Sequence, residues 1–322
     1  MACLALASLM PALATPSSAD SALLGARSAG TAMGAATGES IGSRLPAGRP
    51  VSVATRTATT SHTQFGTTLD LTTGLSYPTA YQSANTRYGG LDAVRVFFGA
   101  LPGKWSTSPL SVPAKPVIVS FKARPQDVLA GKLDTYLRNW FATAPRTKVT
   151  YWSYYHEPED NVMVGDFTAA QYRAAFARIR GLANKTANPN LKSTLILMCW
   201  SLTRVAHRNW TDYYPGRANI DVLAWDCYSR LKTSYESPAS LLTQARDVSV
   251  RAGKPWAVAE YGAVRISGDT GSKRAAWLTT SSQWMSANHA VFGLYFDTNN
   301  RYDYRLRDSA SISAWRTAVS AH

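Results

Sequence analysis

Acidic residues are scarce in this chain of 322 residues: 20 aspartates and glutamates stand against 34 lysines and arginines, giving a formal net charge of +14. An excess of this size suits an anionic neighbour, such as an acidic polymer, a membrane surface or a nucleic acid. The basic residues are scattered singly, however, and no basic run of the nucleic-acid-binding type occurs. We therefore interpret the charge as a solvated basic surface and expect no nucleic-acid partner.

Cysteine is also scarce, with only Cys3, Cys199 and Cys227 in the chain. They show neither a CxxC spacing nor an accompanying histidine cluster, which argues against a zinc site. Cys199 and Cys227 are left as either a disulfide, which an exported protein can form, or two buried free thiols. The sequence slightly favours the free thiols.

Several catalytic signatures are missing. The chain contains no P-loop, no HExxH and no DxxDxDxE motif, which excludes the enzyme classes that depend on those motifs. We expect no cofactor and no metal.

The N-terminal region has little charge and no hydrophobic periodicity. Residues 1–20 resemble a signal peptide, although no lysine or arginine precedes Arg27. Residues 21–61 are rich in Ala, Ser, Thr and Gly and are interpreted as a flexible linker. We expect a secreted, extracellular monomer without a membrane span, because no other apolar stretch is long enough to cross a bilayer.

From residue 62 onward, short apolar runs alternate with helical patterns, which is typical of βα units around a parallel sheet. A single (β/α)8 barrel over residues 62–322 accounts for this order and length. The alternative, a doubly wound open sheet, usually has a glycine-rich turn after its first strand, and none is present. The eight predicted strands cover residues 64–69, 93–98, 116–121, 148–156, 193–200, 221–228, 255–261 and 291–296.

Helices are predicted between these strands. One covers residues 125–141, and another begins at Thr168, with Gln171 at the capping-box spacing. A third has Ser237 as its N-cap and Pro238 at its first position. Two more are predicted over residues 272–288 and 309–319, whereas only a short helix is expected between the fifth and sixth strands.

Glutamate is the scarcest of the charged residues, with five in all, and two of them end predicted strands. Glu157 follows the fourth strand and Glu260 ends the seventh. The carboxyl ends of barrel strands face the active site, and a carboxylate placed after an apolar run is costly to bury. Glycoside hydrolysis requires two carboxyl groups, one protonated and one ionised, on either side of the scissile bond.

The two local sequences, Tyr-Trp-Ser-Tyr-Tyr-His-Glu-Pro-Glu at 151–159 and Pro-Trp-Ala-Val-Ala-Glu-Tyr-Gly at 255–262, resemble the retaining barrel clan of glycosidases. His156 before Glu157 resembles glycoside hydrolase family 26, which includes β-mannanases. The resemblance covers residues 62–320 in strand order. It implies a retaining hydrolase of a mannan-type or related β-linked polysaccharide, with Glu157 as general acid/base and Glu260 as nucleophile.

The resemblance also implies roles for two neighbours. His156 corresponds to a substrate-contacting or pKa-setting histidine, and Tyr228 corresponds to a tyrosine that donates a hydrogen bond to the nucleophile. The mannanases carry an aromatic-rich stretch after the acid/base, whereas residues 158–161 here read Pro-Glu-Asp-Asn. The resemblance therefore indicates the reaction class more strongly than mannan itself.

Other residues near strand ends are candidates for substrate contact. Trp200 and Trp225 are the aromatic residues best placed to stack on sugars, and Tyr261 follows the nucleophile directly. Asp297 is a candidate for binding a sugar hydroxyl, as is Asp226, which could equally cap the following loop. Four arginines lie just beyond strand ends and would suit an anionic polysaccharide if they converge: Arg124, Arg204, Arg230 and Arg265.

Three other functions remain open at this point. The chain could be another hydrolase of the same clan, such as a xylanase or glucanase. It could be a carbohydrate-binding or cell-wall-binding barrel without activity, which would tolerate the loss of either glutamate. It could also be a basic cell-wall or nucleic-acid-binding protein, whose binding would vanish at modest salt.

Overall fold

The computed structural model describes residues 62–321. The predicted signal segment, residues 1–20, and the predicted linker, residues 21–61, lie outside the described residues. Within 62–321, no helix is long and apolar enough to cross a membrane.

Eight parallel strands close into a barrel in sequence order, with the last strand beside the first. This confirms the predicted (β/α)8 barrel, and each strand begins and ends within two residues of its prediction. The strands are β1 (Gln64–Thr68), β2 (Ala93–Phe98), β3 (Val117–Phe121), β4 (Thr150–Tyr154), β5 (Leu191–Met198), β6 (Val222–Ser229), β7 (Trp256–Ala263) and β8 (Phe292–Tyr295).

Two apolar cores explain why several strands are continuous apolar runs. Residues that face the barrel axis form a small inner core, which includes Ile118, Ile196 and Phe292. Residues that face outward pack against the helices in a larger outer core. A parallel strand covered on both faces needs apolar residues at every position, so the few polar residues that face the axis stand out.

The helices lie outside the barrel, and most follow the predictions. The capping box of Thr168 and Gln171 is present, and Ser237 caps its helix as predicted. The α-helices are α1 (Tyr77–Arg87), α2 (Pro125–Leu129), α3 (Asp134–Ala142), α4 (Glu159–Met163), α5 (Ala169–Asn184), α6 (Pro238–Arg251), α7 (Ser272–Ala287) and α8 (Ser309–Val319). The segment between β5 and β6 contains only short 3₁₀ helices.

The predicted single helix over residues 125–141 is wrong, because the chain breaks it into α2 and α3. Gly131 lies between them with φ of +74°, a left-handed conformation that ends a helix and favours glycine. The apolar stripe continues across the break, which is why the periodicity suggested one helix.

The slight preference for free thiols is also wrong. Cys199, just after β5, and Cys227, on β6, form a disulfide with their Cα atoms 5.1 Å apart. Because β5 and β6 are neighbours, the bond fastens the segment that follows β5 to the strand beside it.

Candidate active site

The local shape of β7 decides where Glu260 points. Residues three positions apart on a regular strand face opposite sides. Val258 and Tyr261, however, both face the helices. The pairing with β6 shifts at this point, where Trp225 is opposite Val258 and Asp226 is opposite Glu260. This β-bulge lets two successive residues, Ala259 and Glu260, face the barrel axis.

The backbone around Glu157 has an unusual conformation. After β4 ends, Tyr155 and Glu157 both adopt φ of 49°, a left-handed conformation that is rare for bulky residues and often marks functional sites. The Glu157 amide donates a hydrogen bond to the carbonyl of Ile196 on β5 (3.1 Å). The carboxyl group is therefore presented at the barrel mouth from a fixed backbone, and the residue is only partly buried.

The two carboxyl groups have different electrostatic surroundings. Burial, together with the nearby charges of Glu260 and Glu159, raises the pKa of Glu157 to about 8. Burial also raises the pKa of Glu260, but Arg95 and the Tyr228 hydroxyl oppose that rise. Glu157 therefore tends to hold its proton at neutral pH, whereas Glu260 is surrounded by groups that stabilise its ionised form.

Tyr228 and Arg95 both reach Glu260. The Tyr228 hydroxyl donates to Oε2 of Glu260 at 2.5 Å, as the family resemblance implied. The Arg95 guanidinium donates to Oε1 at 3.5 Å and to the Ser120 hydroxyl at 2.6 Å. Both oxygens of Glu260 thus accept hydrogen bonds from this chain.

Arg95 was not among the candidates predicted from the sequence. It lies in the middle of β2, is 1% exposed, and its guanidinium lies 4.2 Å from the centre of the Phe97 ring. A lone arginine within the apolar run Ala-Val-Arg-Val-Phe-Phe was the available signal, because a buried charge requires a partner.

Lys122 is the second cation that the sequence analysis missed. It is the first residue after β3 and is partly buried. Burial lowers the pKa of its ammonium group, while the nearby Glu157 and Glu260 oppose this effect.

His156 packs against Phe97, with ring centres 5.4 Å apart. Burial and the nearby Arg95 and Lys122 hold its pKa well below the usual range, so the imidazole is neutral. Its buried Nδ1 has no hydrogen-bond partner among the described residues, which leaves it available to a ligand.

Asp226 lies on β6 opposite Glu260 and is 3% exposed. Neither of its carboxyl oxygens has a hydrogen-bond partner within residues 62–321, so it does not cap the following loop. Burial, and then the charges of Glu260 and Glu157, raise its pKa well above the usual range. These surroundings favour the protonated carboxyl group, which is able to donate a hydrogen bond.

The prediction that Trp225 and Tyr261 contact substrate is wrong. Trp225 is fully buried and donates to the Ser249 hydroxyl on α6 (2.9 Å). Tyr261 stacks on Trp277 of α7, with ring centres 4.5 Å apart. The sequence contained a signal for Trp225. It lies three positions before Tyr228, and residues an odd number of positions apart on a strand face opposite sides. Trp225 and Tyr228 could therefore not both face the barrel axis.

Asp297 is occupied by the protein. Its two oxygens accept hydrogen bonds from the Tyr88 hydroxyl (2.6 Å) and from the Leu306 amide (2.8 Å). The predicted contact with a sugar hydroxyl is therefore replaced by a structural role, in which the carboxylate joins α1 to the segment after β8.

Trp200 is the predicted aromatic residue that remains accessible. It lies in the 3₁₀ helix after β5 and is 48% exposed. Val205 (66%) follows it in the same connection, and Met163 (65%) follows β4. These side chains form exposed apolar surface on the loops at the carboxyl ends of β4 and β5.

Glu159, two positions after Glu157, is not a solvated surface charge. It is fully buried, and one oxygen accepts from the Met198 amide (2.8 Å) and the Ser201 hydroxyl (3.0 Å). It fastens the connection after β4 to the end of β5 and helps raise the pKa of Glu157.

The four arginines beyond strand ends do not form a common cluster in the described residues. All four are exposed, and only Arg230 contacts a residue bonded to Glu260, lying 5.7 Å from the centre of the Tyr228 ring. Within residues 62–321, no group of three or more histidine, cysteine or acidic side chains is arranged to hold a metal ion.

Solved structures share this fold. The GH26 domain of an endo-β-mannanase/endo-β-glucanase from Prevotella bryantii is 11% identical, with a TM-score of 0.56 over 80% of this chain and 89% of that chain. A GH26 β-mannanase from Bacteroides ovatus is 14% identical, with a TM-score of 0.52 over 81% of this chain and 89% of that chain. An endo-β-1,4-mannanase from Cellulomonas fimi is 15% identical, with a TM-score of 0.53 over 80% and 70%. The chain therefore has the fold of family 26 glycoside hydrolase domains.

Comparison at the level of sequence finds fewer similarities. No protein-family model matches the chain. Endoglucanase H of Acetivibrio thermocellus is 24% identical over 162 residues, which is 48% of this chain. The match spans only 17% of that protein's length.

Proposed function

We propose that this chain is a retaining glycoside hydrolase that cleaves a β-linked polysaccharide, with Glu157 as general acid/base and Glu260 as nucleophile. The observation that carries the proposal is the contrast between the two carboxyl groups at one barrel mouth. Glu157 has acidic neighbours, whereas Glu260 has Arg95 and Tyr228. A pair of carboxyls with separated pKa values is the arrangement that this chemistry requires.

In the first step, a carboxylate oxygen of Glu260 forms a bond to the anomeric carbon while the glycosidic bond breaks. Glu157 gives its proton to the departing glycosidic oxygen, which leaves as a hydroxyl group. In the second step, Glu157 takes a proton from a water molecule, whose oxygen attacks the anomeric carbon and releases Glu260. The two displacements together retain the anomeric configuration.

Arg95 and Tyr228 orient the Glu260 carboxylate and keep it ionised before attack. Asp226 and His156 supply unpartnered polar atoms beside the pair, suited to the hydroxyl groups of the sugar at the scissile bond. Trp200 offers an exposed ring for stacking against a neighbouring sugar.

The substrate class follows from likeness to named enzymes. The three solved structures named above are mannanases and a mannanase/glucanase, and the curated relative is an endoglucanase, so we propose a mannan-type or related β-glycan. We also propose export, since a disulfide such as Cys199–Cys227 persists in oxidising compartments.

The test is hydrolysis of a polysaccharide panel containing mannan, galactomannan, xylan, mixed-linkage glucan and an acidic β-glycan. Wild type should release reducing ends from at least one member, and Glu260→Gln should lower that rate by about a thousandfold or more, since the nucleophile is lost. Glu236→Gln is the matched control, because Glu236 lies just before α6 and accepts from Ser240. A 2-deoxy-2-fluoro glycoside of the cleaved sugar should label Glu260 covalently.

Three outcomes would contradict the proposal. The first is a Glu260→Gln variant as active as Glu236→Gln, and the second is a label that maps to another residue. The third is a first product with inverted anomeric configuration. Binding of a glycan without any hydrolysis would instead favour a carbohydrate-binding barrel.

A further inference from the structure

The ammonium group of Lys122 lies at the barrel mouth without a direct acidic partner. Among residues 62–321, no carboxylate lies within 4.0 Å of it and no side-chain hydrogen bond from it is formed. It lies over the face of the Tyr155 ring, 5.0 Å from the ring centre. Lys122 nevertheless acts electrostatically on Glu157, Glu260 and Asp226, which places it beside the catalytic pair.

The charges at the mouth do not balance. Arg95 is within 3.5 Å of Glu260, so these two opposite charges compensate each other. Burial and neighbouring carboxylates raise the pKa of Glu157 to about 8 and also raise the pKa of Asp226, which favours the neutral form of both groups. Lys122 is therefore left as an uncompensated cation in a partly buried position, which is costly unless a ligand supplies the opposite charge.

A second cation borders the same site. The Arg230 guanidinium lies over the Tyr228 ring, 5.7 Å from its centre, and interacts with Tyr304. Tyr228 is itself bonded to Glu260, so Arg230 stands one side chain away from the nucleophile. Arginine is suited to carboxylate recognition because its planar fork can donate two hydrogen bonds.

We propose that the site is selective for an acidic β-glycan, and that Lys122, supported by Arg230, binds the carboxylate of a uronic acid unit next to the scissile bond. This rests on the proposed glycosidase function and names its substrate class. The neutral carboxyl of Asp226 and the neutral His156 suit the sugar's hydroxyl groups, whereas a carboxylate on the sugar would be paired by Lys122. The net charge of +14 would also favour the approach of a polyanion.

A role for Lys122 in tuning the two glutamates is the competing explanation, and it makes a different prediction. Tuning acts on Glu157 and Glu260 whatever the sugar carries, so loss of Lys122 would slow acidic and neutral substrates equally. Direct recognition of a carboxylate affects only the acidic substrate, so the ratio of the two rates separates the explanations.

A matched pair of substrates is available for this test. Oligosaccharides of β-1,4-mannuronan become β-1,4-mannan oligosaccharides when their carboxyl groups are chemically reduced, and β-1,4-glucuronan gives β-1,4-glucan in the same way. We expect wild type to show the higher kcat/KM on the acidic member of at least one pair. Lys122→Met should lower kcat/KM on that member by about tenfold to a hundredfold more than on its neutral counterpart, as for the loss of a charge-assisted hydrogen bond.

Lys185→Met is the control, because Lys185 is an exposed lysine at the end of α5, at the opposite end of the barrel. Lys122→Arg keeps the charge and should restore part of the preference. The preference of wild type for the acidic member should also weaken as the salt concentration rises, since salt screens the attraction between opposite charges.

The outcomes separate this inference from the proposed function. If wild type prefers the neutral member of both pairs, or if Lys122→Met slows both members equally, the inference is overturned while the glycosidase stands. If calorimetry shows that the acidic oligosaccharide binds with dependence on Lys122 but neither member is cut, the catalytic proposal fails and acidic-glycan recognition stands. If the protein neither cuts nor binds an acidic member, the inference is overturned.

Discussion

The hydroxyl of Tyr228 donates a hydrogen bond to Oε2 of Glu260 at 2.5 Å. The two residues lie on neighbouring strands, but Tyr228 is opposite Gly262, two positions beyond Glu260. Because residue 262 has no side chain, the Tyr228 ring has room to lean back across β7 towards the carboxylate. Their contact depends on a strand register, a bulge and a glycine together.

Removal of this hydroxyl should impair Glu260 in its proposed role as nucleophile. The hydrogen bond opposes the rise in the pKa of Glu260, so in Tyr228→Phe that pKa should move higher. Because Glu260 must be ionised to attack, the acidic limb of the kcat/KM profile should move to higher pH. We expect kcat/KM to fall by about tenfold to a thousandfold, as for the loss of a charge-assisted hydrogen bond in an active site.

Tyr136→Phe provides the comparison, because Tyr136 is a 40% exposed tyrosine on α3 whose hydroxyl donates to the carbonyl of Pro102. Its pH profile should overlay that of wild type. An unshifted acidic limb in Tyr228→Phe would show that the tyrosine does not stabilise the ionised nucleophile.

The alkaline limb of activity should report Glu157. Its pKa is raised to about 8, and its proposed role as general acid requires the protonated form, so kcat/KM should fall as pH rises through about 8. Glu159→Gln should move this limb to lower pH, because it removes one of the charges that raise the pKa of Glu157. A limb that stays in place in Glu159→Gln would argue against that electrostatic coupling.

The same raised pKa predicts a dependence of stability on pH. The folded protein holds the Glu157 proton more tightly than the unfolded chain, where the pKa is about 4.5. Stability should therefore fall as pH rises from about 4.5 to about 8. Glu157→Gln should lose this contribution and exceed wild type in thermal stability at pH 9, as calorimetry can measure. A lower stability of the variant at pH 9 would contradict this linkage.

Gly262 should be required for the contact between Tyr228 and Glu260, the proposed nucleophile. A Cβ atom at residue 262 would lie 3.0 Å from Tyr304 Cδ1 and 3.3 Å from Tyr228 Cδ1, so Gly262→Ala should displace Tyr228 from Glu260. We expect a loss of kcat of about tenfold or more, with only a modest fall in melting temperature. Gly99→Ala is the control, since nothing lies within 4 Å of its added Cβ. Equal kcat values for the two variants would contradict the steric argument.

The disulfide should contribute to stability in the oxidised protein. It closes a loop with a sequence separation of 28, for which loop entropy gives a stabilisation of about 3–4 kcal/mol. Urea denaturation should therefore give a lower free energy of unfolding for the Cys199→Ser/Cys227→Ser double variant than for oxidised wild type. Reduced wild type should resemble the variant. If alkylation modifies Cys199 and Cys227 in the unfolded chain before reduction, the disulfide is absent from the protein.

Local patterns allowed much of this fold to be predicted. Continuous apolar runs mark strands that are covered on both faces, and the caps of Thr168 and Ser237 depend on residues three positions away. The helix that broke at Gly131 shows the limit, since a left-handed turn interrupted an apolar stripe that continued in sequence. Position at a strand end was likewise enough to select Glu157 and Glu260 as candidates.

The sequence by itself determined the barrel order and the two candidate glutamates, because both depend on neighbours along the chain. Only the tertiary structure decided which side chains meet at the mouth. The bulge in β7 turns Glu260 inward and Tyr261 outward, and a shift of one position reverses the face of every strand residue beyond it. Barrel closure brings Glu260 together with three residues that are distant from it in sequence. Arg95 comes from β2, Lys122 from the end of β3 and Asp226 from β6.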